Sequence, residues 1–306
     1  MLILQEIAPL GQKKNMNTTT YPNFETSEFL NAHVKSTLAF YEPRVLAPEG
    51  GFYGCFLDDG TCFDPGARQL VSSCRYVVNY ATAYRLYGQP NHLDWANWGL
   101  TYLTKAHRQA NGGYAWMLQD GVVTDDRVMA YGHAFVLLAA ANCVQAGIAA
   151  ARDVLDETFD FMETHFWDAA AGAYFDERDA TLSTLSPYRG QNANMHMCEA
   201  LLAAWEATGE VKFLDRAEAL ANLFAFDLAA QSGGQIWEHY DADWNVDMTY
   251  NIDNPNDRYR PWGFQPGHQT EWAKLLLILN RHRPMDWLIP RAKDLFDRAL
   301  APAWDA

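Results

Sequence analysis

Gly50-Gly51-Phe52-Tyr53, Gly112-Gly113-Tyr114-Ala115, Ala171-Gly172-Ala173-Tyr174 and Gly233-Gly234-Gln235-Ile236 are four versions of one short phrase. Each follows a segment with helical patterning and opens a β-prone run. Three of those runs reach an acidic turn, at Leu57-Asp58-Asp59-Gly60, Leu118-Gln119-Asp120-Gly121 and Tyr240-Asp241-Ala242-Asp243. Aligned on the glycines at 51, 113, 172 and 234, the phrases recur at spacings of 62, 59 and 62 residues. A unit of that length holds two helices and a hairpin-like connector, and it is too long for a TPR or HEAT repeat. Repeated helical hairpins stack into a solenoid or close into a ring.

The segments between the phrases choose between the two. Apolar residues fall at i, i+3, i+4 and i+7 across 70–86, 95–107, 128–146, 151–166, 195–208, 213–226, 271–281 and 288–300. Pro65, Pro90, Pro187, Pro266, Pro284 and Pro290 stand where helices should start or stop. Many of these segments are apolar on more than one face, which suits helices covered from both sides. The expectation is an all-α fold, an (α/α) barrel: a toroid of helical hairpins with short β-hairpin connectors. Residues 1–20 read as a loose N-terminal extension, with Met16 a candidate translation start, and 21–306 as the barrel. Ala303-Trp304-Asp305-Ala306 echoes Phe166-Trp167-Asp168-Ala169, which stands just before the third connector. A fifth connector is therefore due about three residues past the last one, and the barrel is expected to lack its C-terminal hairpin or hairpins, as a fragment or a naturally short product.

Composition narrows the partners. Of 306 residues, 49% are hydrophobic and 20% charged, which is globular and neither a disordered tail nor a rod. The net charge of −15 argues against nucleic acid or an anionic membrane as partner. No apolar run approaches the roughly 20 residues of a membrane span. Met1 to Leu10 lacks the basic first segment and cleavage site of a signal peptide. Cys55, Cys62, Cys74, Cys143 and Cys198 include no CxxC and read as reduced thiols of a cytoplasmic protein. Eleven Trp, 15 Tyr and 16 Phe suit a chain that lines a concave site with rings, although most of them are expected in plain packing.

Two local motifs carry candidate chemistry. His196 and Glu199 lie three apart in Asn192-Ala193-Asn194-Met195-His196-Met197-Cys198-Glu199, and His268 and Glu271 do so in Gly267-His268-Gln269-Thr270-Glu271. Residues at i and i+3 share a helix face, so each carboxylate can fix a tautomer of its imidazole and raise its basicity. His-x-x-Glu is common by chance, and either histidine can equally be a helix-start residue bonded to a loop carbonyl. His133 reads as a satisfied core histidine, and His33, His92, His107, His165 and His282 as surface or helix-end residues. Arg75 sits in an otherwise apolar helical segment, where a buried guanidinium needs either a substrate oxygen or an intramolecular glutamate. Trp237-Glu238-His239-Tyr240 and Arg260-Pro261-Trp262-Gly263-Phe264-Gln265-Pro266-Gly267 add rings and acceptors of the sort a carbohydrate pocket requires. No HExxH or Cys/His cluster, GxGxxG, Walker A or GxSxG sequence is present, so no metal and no cofactor is expected.

At Leu70-Val71-Ser72-Ser73 through Arg75, Gly112 to Trp116, Pro187 to His196, Trp237 to Tyr240 and Arg260 to Trp272, the chain resembles the N-acylglucosamine 2-epimerase superfamily, and within it the D-mannose isomerases. The resemblance covers roughly Tyr21 to Ala306. It implies an (α/α)6 barrel and cofactor-independent proton transfer on free sugars. It maps His268 onto an acid/base histidine with Glu271 as its carboxylate neighbour, and Arg75, Asn192 and His196 onto sugar-binding positions. His196 is also counted with the catalytic candidates for its His-x-x-Glu motif. Glu238 matches a pocket glutamate, and Tyr114 and Trp262 in the matching stretches are candidate substrate contacts. The family's second acid/base histidine falls in the hairpin expected to be missing.

The reaction so implied is aldose–ketose isomerisation, mannose to fructose, with a histidine carrying the proton through an enediol. A sugar 2-epimerase of the N-acylglucosamine or cellobiose type, or an inactive sugar-binding fragment, is the alternative. A glycoside hydrolase on the same fold, with two opposed carboxyl groups, ranks below both. The expected partner is a small monosaccharide, with no nucleic acid and no membrane. The oligomeric state is left open.

Overall fold

The computed structural model describes residues 22–257 and 259–303, so the N-terminal extension and the Trp304–Ala306 echo lie outside the described residues. Two units divide the chain between Arg44 and Val45. The first contains helix α1 (Ser27–Tyr41), which begins where the Thr26 side chain accepts the Phe29 amide at 3.2 Å and which has no buried residue.

From Val45 onward, helices come in hairpins: α2 (Leu70–Tyr87) with α3 (Pro90–Tyr102), α4 (Ala130–Gln145) with α5 (Ala151–His165), α6 (Gln191–Thr208) with α7 (Val211–Asn222), and α8 (Pro266–His282) with α9 (Leu288–Ala303). The even-numbered helices pack on one another in chain order and each packs on its own partner. Composition explains which layer is which. Helix α4 is apolar nearly all round and buries residues from Ala130 to Cys143, each fully buried Leu or Val contributing about 2 kcal/mol. Helices α5, α7 and α9 bury a single stripe and keep a charged face. This is the two-layer order of an (α/α) barrel. Helices α2 and α6 end on Gly88 and Gly209 in the left-handed region, and α3 and α8 begin on Pro90 and Pro266. Helices α3 and α7 continue into π-helical turns, Leu103–His107 and Leu223–Leu228. No described helix is long and apolar enough to cross a membrane.

The connectors fasten one hairpin to the next. Strand β1 (Ala67–Gln69) pairs antiparallel with β2 (Met117–Gln119), which pairs with β3 (Val122–Asp125). Likewise β4 (Val128–Met129) pairs with β7 (Glu177–Arg178), and β8 (Arg189–Gly190) with β9 (His239–Tyr240), while β5 (Trp167–Asp168) and β6 (Ala173–Tyr174) close on each other. Each pairing between hairpins joins the strand before an inner helix to the following connector, and one more hydrogen bond completes it. The first amide of α2, α4 and α6 donates to the carbonyl of Trp116 (3.0 Å), Asp176 (2.8 Å) and Glu238 (3.1 Å), respectively.

That ladder corrects the repeat frame read from the sequence. Residue 52 bridges 46 and residue 114 bridges 108, and Tyr174 pairs with Trp167. The matching glycines are therefore Gly50, Gly112, Gly172 and Gly234, all with positive φ (122°, 90°, 78° and 90°). The first two phrases had been aligned one residue late, because each carries two adjacent glycines and the second was matched to the single Gly172. In this frame the connector before α6 also has its acidic turn, where Asp179 accepts the amides of Ser183 and Thr184.

In the same frame the fourth residue of each later inner helix clamps its own connector. His133 Nε2 accepts the Tyr114 amide at 3.1 Å while its Nδ1 lies 2.8 Å from the Met129 carbonyl. Asn194 bonds both the amide and the carbonyl of Tyr174, and Gln269 does the same for Ile236. His133 is a core histidine, and burial pushes its pKa down to about 4. His92 and His107, expected at the surface or at helix ends, are buried too, and burial lowers His107 to about 4 against the bond from its Nδ1 to the Ala115 carbonyl.

Candidate active site

Because the strand pairs hold the inner helices in register, side chains from their first two turns meet. Counting from each first residue, the sixth positions of α2, α4, α6 and α8 are Arg75, Phe135, His196 and Glu271, and the second positions of α4 and α6 are Tyr131 and Asn192. The Arg75 guanidinium lies 4.6 Å from the centre of the Phe135 ring, and its charge acts on the Tyr131 phenol. His196 is wedged between Phe135 and Tyr131, with ring centres 4.7 and 5.2 Å away. Burial pushes the Tyr131 phenol up, Arg75 pulls it down, and the charges of Glu271 and Glu199 push it up again. Tyr131 thus lies within the field of groups from α2, α6 and α8.

The two His-x-x-Glu motifs part company here. His196 Nδ1 lies 3.2 Å from Glu199 Oε2, as its spacing predicts, and Lys274 of α8 holds the other oxygen at 2.8 Å. Burial would raise the Glu199 carboxyl, but these two partners bring it down to about 2. His268 takes its partner from elsewhere: its Nδ1 lies 2.8 Å from Oε1 of Glu238, not against Glu271. Glu238 is buried immediately before strand β9, and both of its carboxylate oxygens also meet Gln191 Nε2, at 3.1 and 3.0 Å. Gln191 in turn accepts the Trp272 indole at 2.8 Å. Burial would lower the His268 pKa, but the bond to Glu238 and the charges of Glu238 and Glu271 outweigh it, so the net shift is upward. Glu271 is a charge near the ring rather than its bonded partner.

The corner that holds His268 is a repeated piece of architecture. It comprises the first residue of one inner helix, the connector residue whose carbonyl receives that helix's amide, and the third residue of the next inner helix. For α6 and α8 these are Gln191, Glu238 and His268. For α2 and α4 they are Leu70, Trp116 and Gly132, and a Cβ on Gly132 would sit 2.7 Å from Leu70 and 3.5 Å from the Trp116 ring. For α4 and α6 they are Ala130, Asp176 and Ala193. Asp176 is buried, accepts the Gly190 amide at 2.8 Å, and has no imidazole opposite it; burial raises its carboxyl to about 7.

A cavity of about 850 Å³ opens beside this cluster, lined by Asn192, Tyr131, Trp116, Asp176, Tyr188 and Arg260 among others. Asn192 and Tyr131 join it to the helix-start cluster, whereas Arg75, His196 and His268 do not line it. The Asn192 Oδ1 is buried without a hydrogen-bond partner. Arg260 stacks on Tyr188 at 3.8 Å, and the Tyr188 hydroxyl lies 2.9 Å from His239 Nδ1, which ties the loop before α8 to the connector before α6.

Two further expectations, on Arg75 and Tyr114, are corrected. Arg75 is exposed rather than buried, and its neighbours are the Phe135 ring and Tyr131, not a glutamate. Tyr114 is a core residue whose hydroxyl turns to Thr158 of the outer helix α5, because the alternation of the connector points it away from the cavity. Trp262 lies in the loop before α8, where its indole donates to the Met248 carbonyl at 2.8 Å and its ring meets Trp237 edge-on, outside the cavity lining. Asp176, Gln191 and Trp272 were assigned no role from the sequence. The correct repeat frame is the signal that identifies Asp176, since it stands where Glu238 stands. Among the described residues, no group of three or more His, Cys, Asp and Glu is placed to hold a metal ion.

Comparison with known proteins agrees with this layout. Residues 51–306 match the N-acylglucosamine 2-epimerase (GlcNAc 2-epimerase) family. A D-mannose isomerase of Marinomonas mediterranea is 47% identical over 287 residues, covering 94% of this chain and 73% of that protein. A crystal structure of a D-mannose isomerase superposes with a TM-score of 0.92 at 47% identity, covering 94% of this chain and 74% of that one. The cellobiose 2-epimerase of Spirochaeta thermophila shares the fold, with a TM-score of 0.77 at 22% identity over 89% of this chain and 69% of its own.

Proposed function

Since the chain belongs to the N-acylglucosamine 2-epimerase family, we propose that it is an aldose–ketose isomerase that converts mannose to fructose, with His268 as the base. The observation that carries this reading is the His268 Nδ1 held at 2.8 Å by buried Glu238 at the same helix-start level as Arg75, Asn192 and His196. With Nδ1 engaged, Nε2 is the ring nitrogen left for substrate. Isomerisation removes the proton at C2 next to the carbonyl, passes through an enediol and returns the proton at C1 on the same face. One imidazole suffices to carry that carbon-bound proton, whereas epimerisation must return it on the opposite face; the proton that O1 gains as the enediol forms and the one that O2 releases as it collapses pass through a second group or solvent.

The remaining residues have matching work. Arg75 offers a fixed cation to the carbonyl oxygen where charge develops. Asn192 and His196 offer hydrogen bonds to hydroxyls, and Glu271 adds negative charge that favours the imidazolium formed in the enediol state. No step calls for a cofactor. All five cysteines are free, which supports a reducing compartment such as the cytoplasm. The test is fructose formation from mannose by the purified protein and by His268→Asn. The wild type is expected to form the ketose and the variant to lose at least about a hundredfold in kcat. An unchanged rate in the variant removes His268 from the mechanism.

A further inference from the structure

One chain of contacts behind His268 is made entirely of buried groups. Trp272 and Gln191 are fully buried and Glu238 nearly so, and they connect the inner faces of α8 and α6 to the connector between them. An indole N–H can only donate, so the amide atom of Gln191 that lies 2.8 Å from it must be the oxygen. That single constraint orients the whole amide. Its NH2 end then faces both oxygens of Glu238 and also lies 2.9 Å from His268 Nδ1, which itself stands 2.8 Å from the carboxylate. A flipped amide would put an oxygen against the carboxylate and an NH2 against the indole, two repulsions at once.

Neither equivalent corner can make this chain. The places of Gln191 and His268 are taken by Leu70 and Gly132 in one and by Ala130 and Ala193 in the other. The place of Trp272, seventh in its helix, is Tyr76 in α2, Val136 in α4 and Met197 in α6.

We infer that Trp272 and Gln191 are positioning residues, which hold the Glu238 side chain aimed at Nδ1 and so keep His268 Nε2 bare and turned to substrate. This rests on the reading of His268 as the base. Without the amide donor, a buried carboxylate keeps one donor instead of two. It then turns from the ring or takes up a proton, and in either case the imidazolium loses its counter-charge.

The test titrates His268 by 15N NMR in the wild type, Gln191→Met, Trp272→Phe and the double variant, with the signal assigned by its loss in His268→Asn, and measures kcat and KM alongside. The wild type is expected to show the Nδ1–H tautomer when neutral. Each single variant should lower the His268 pKa by about half a unit or more and admit the Nε2–H tautomer. Each should also lose about tenfold in kcat with little change in KM. Because the two groups act in series, the double variant should match Gln191→Met within about twofold. Should Trp272→Phe fail to fold, Gln191→Met carries the titration alone. An unchanged pKa and tautomer in Gln191→Met overturns the inference, as do kcat losses that multiply in the double variant. If the His268 titration shifts as stated but the wild type converts no mannose, the positioning chain stands and the isomerase reading falls.

Discussion

A histidine serves as a base when one ring nitrogen is bare and its protonated form has somewhere to place its charge. Glu238 supplies the second condition for His268, and the consequence is a pH dependence with a definite sign. The base works when neutral, and its pKa is raised above the usual 6.5, so kcat/KM should fall as pH drops through a value above 6.5. In Glu238→Gln the lowering by burial is no longer opposed by that carboxylate, so the acid limb should move to lower pH while the plateau rate falls about tenfold; a pH–rate profile of each protein checks this. His268 itself was legible in the sequence, because a histidine at a helix start after Pro266-Gly267 lies within a long specific motif. Its partner was not. Spacing along one helix nominated Glu271, but the bonded carboxylate lies 30 residues away in the connector before β9, and only the packing of α8 against that connector brings the two together.

At the scale of elements, the fold depends on polar clamps buried inside an apolar layer. Asn194 bonds the amide and carbonyl of Tyr174 at 2.8 and 3.0 Å and the Gly190 carbonyl at 3.1 Å, all out of reach of water. Asn194→Leu leaves those backbone groups unpaired and should cost about 3–5 kcal/mol, read as a lower urea midpoint with the slope unchanged. The eight inner and outer helices are readable from the apolar periodicity because their buried stripes are long. The proline and glycine boundaries then fall within a few residues of the observed ends. Helix α1 escaped that reading because its pattern buries nothing. The repeat frame was nearly right and went wrong by one residue in two connectors, where paired glycines offer two alignments that only the bridge register separates. That small slip concealed the equivalence of Asp176 and Glu238, which only the strand register exposes.

At the scale of the molecule, the same corner carries a cost to stability where it lacks a partner. The Asp176 carboxyl is raised from 3.8 to about 7 by burial, so between those values the folded chain holds a proton that the unfolded chain releases. Stability from this group is therefore complete below about pH 4 and lost as pH rises toward 7. Asp176→Asn should be as stable as the wild type at low pH and more stable at pH 8 by up to about 4 kcal/mol, measured by thermal or urea unfolding at both pH values. On the proposed function, the whole arrangement of hairpins, strand pairs and buried clamps presents His268 to a sugar beside Arg75 and Asn192. The most direct test of that claim is 1H NMR of mannose incubated with the protein in D2O. Fructose should appear with deuterium at C1, and mannose should exchange at C2 without glucose forming. No exchange, or glucose appearing as fast as fructose, would contradict a single imidazole working on one face of the enediol.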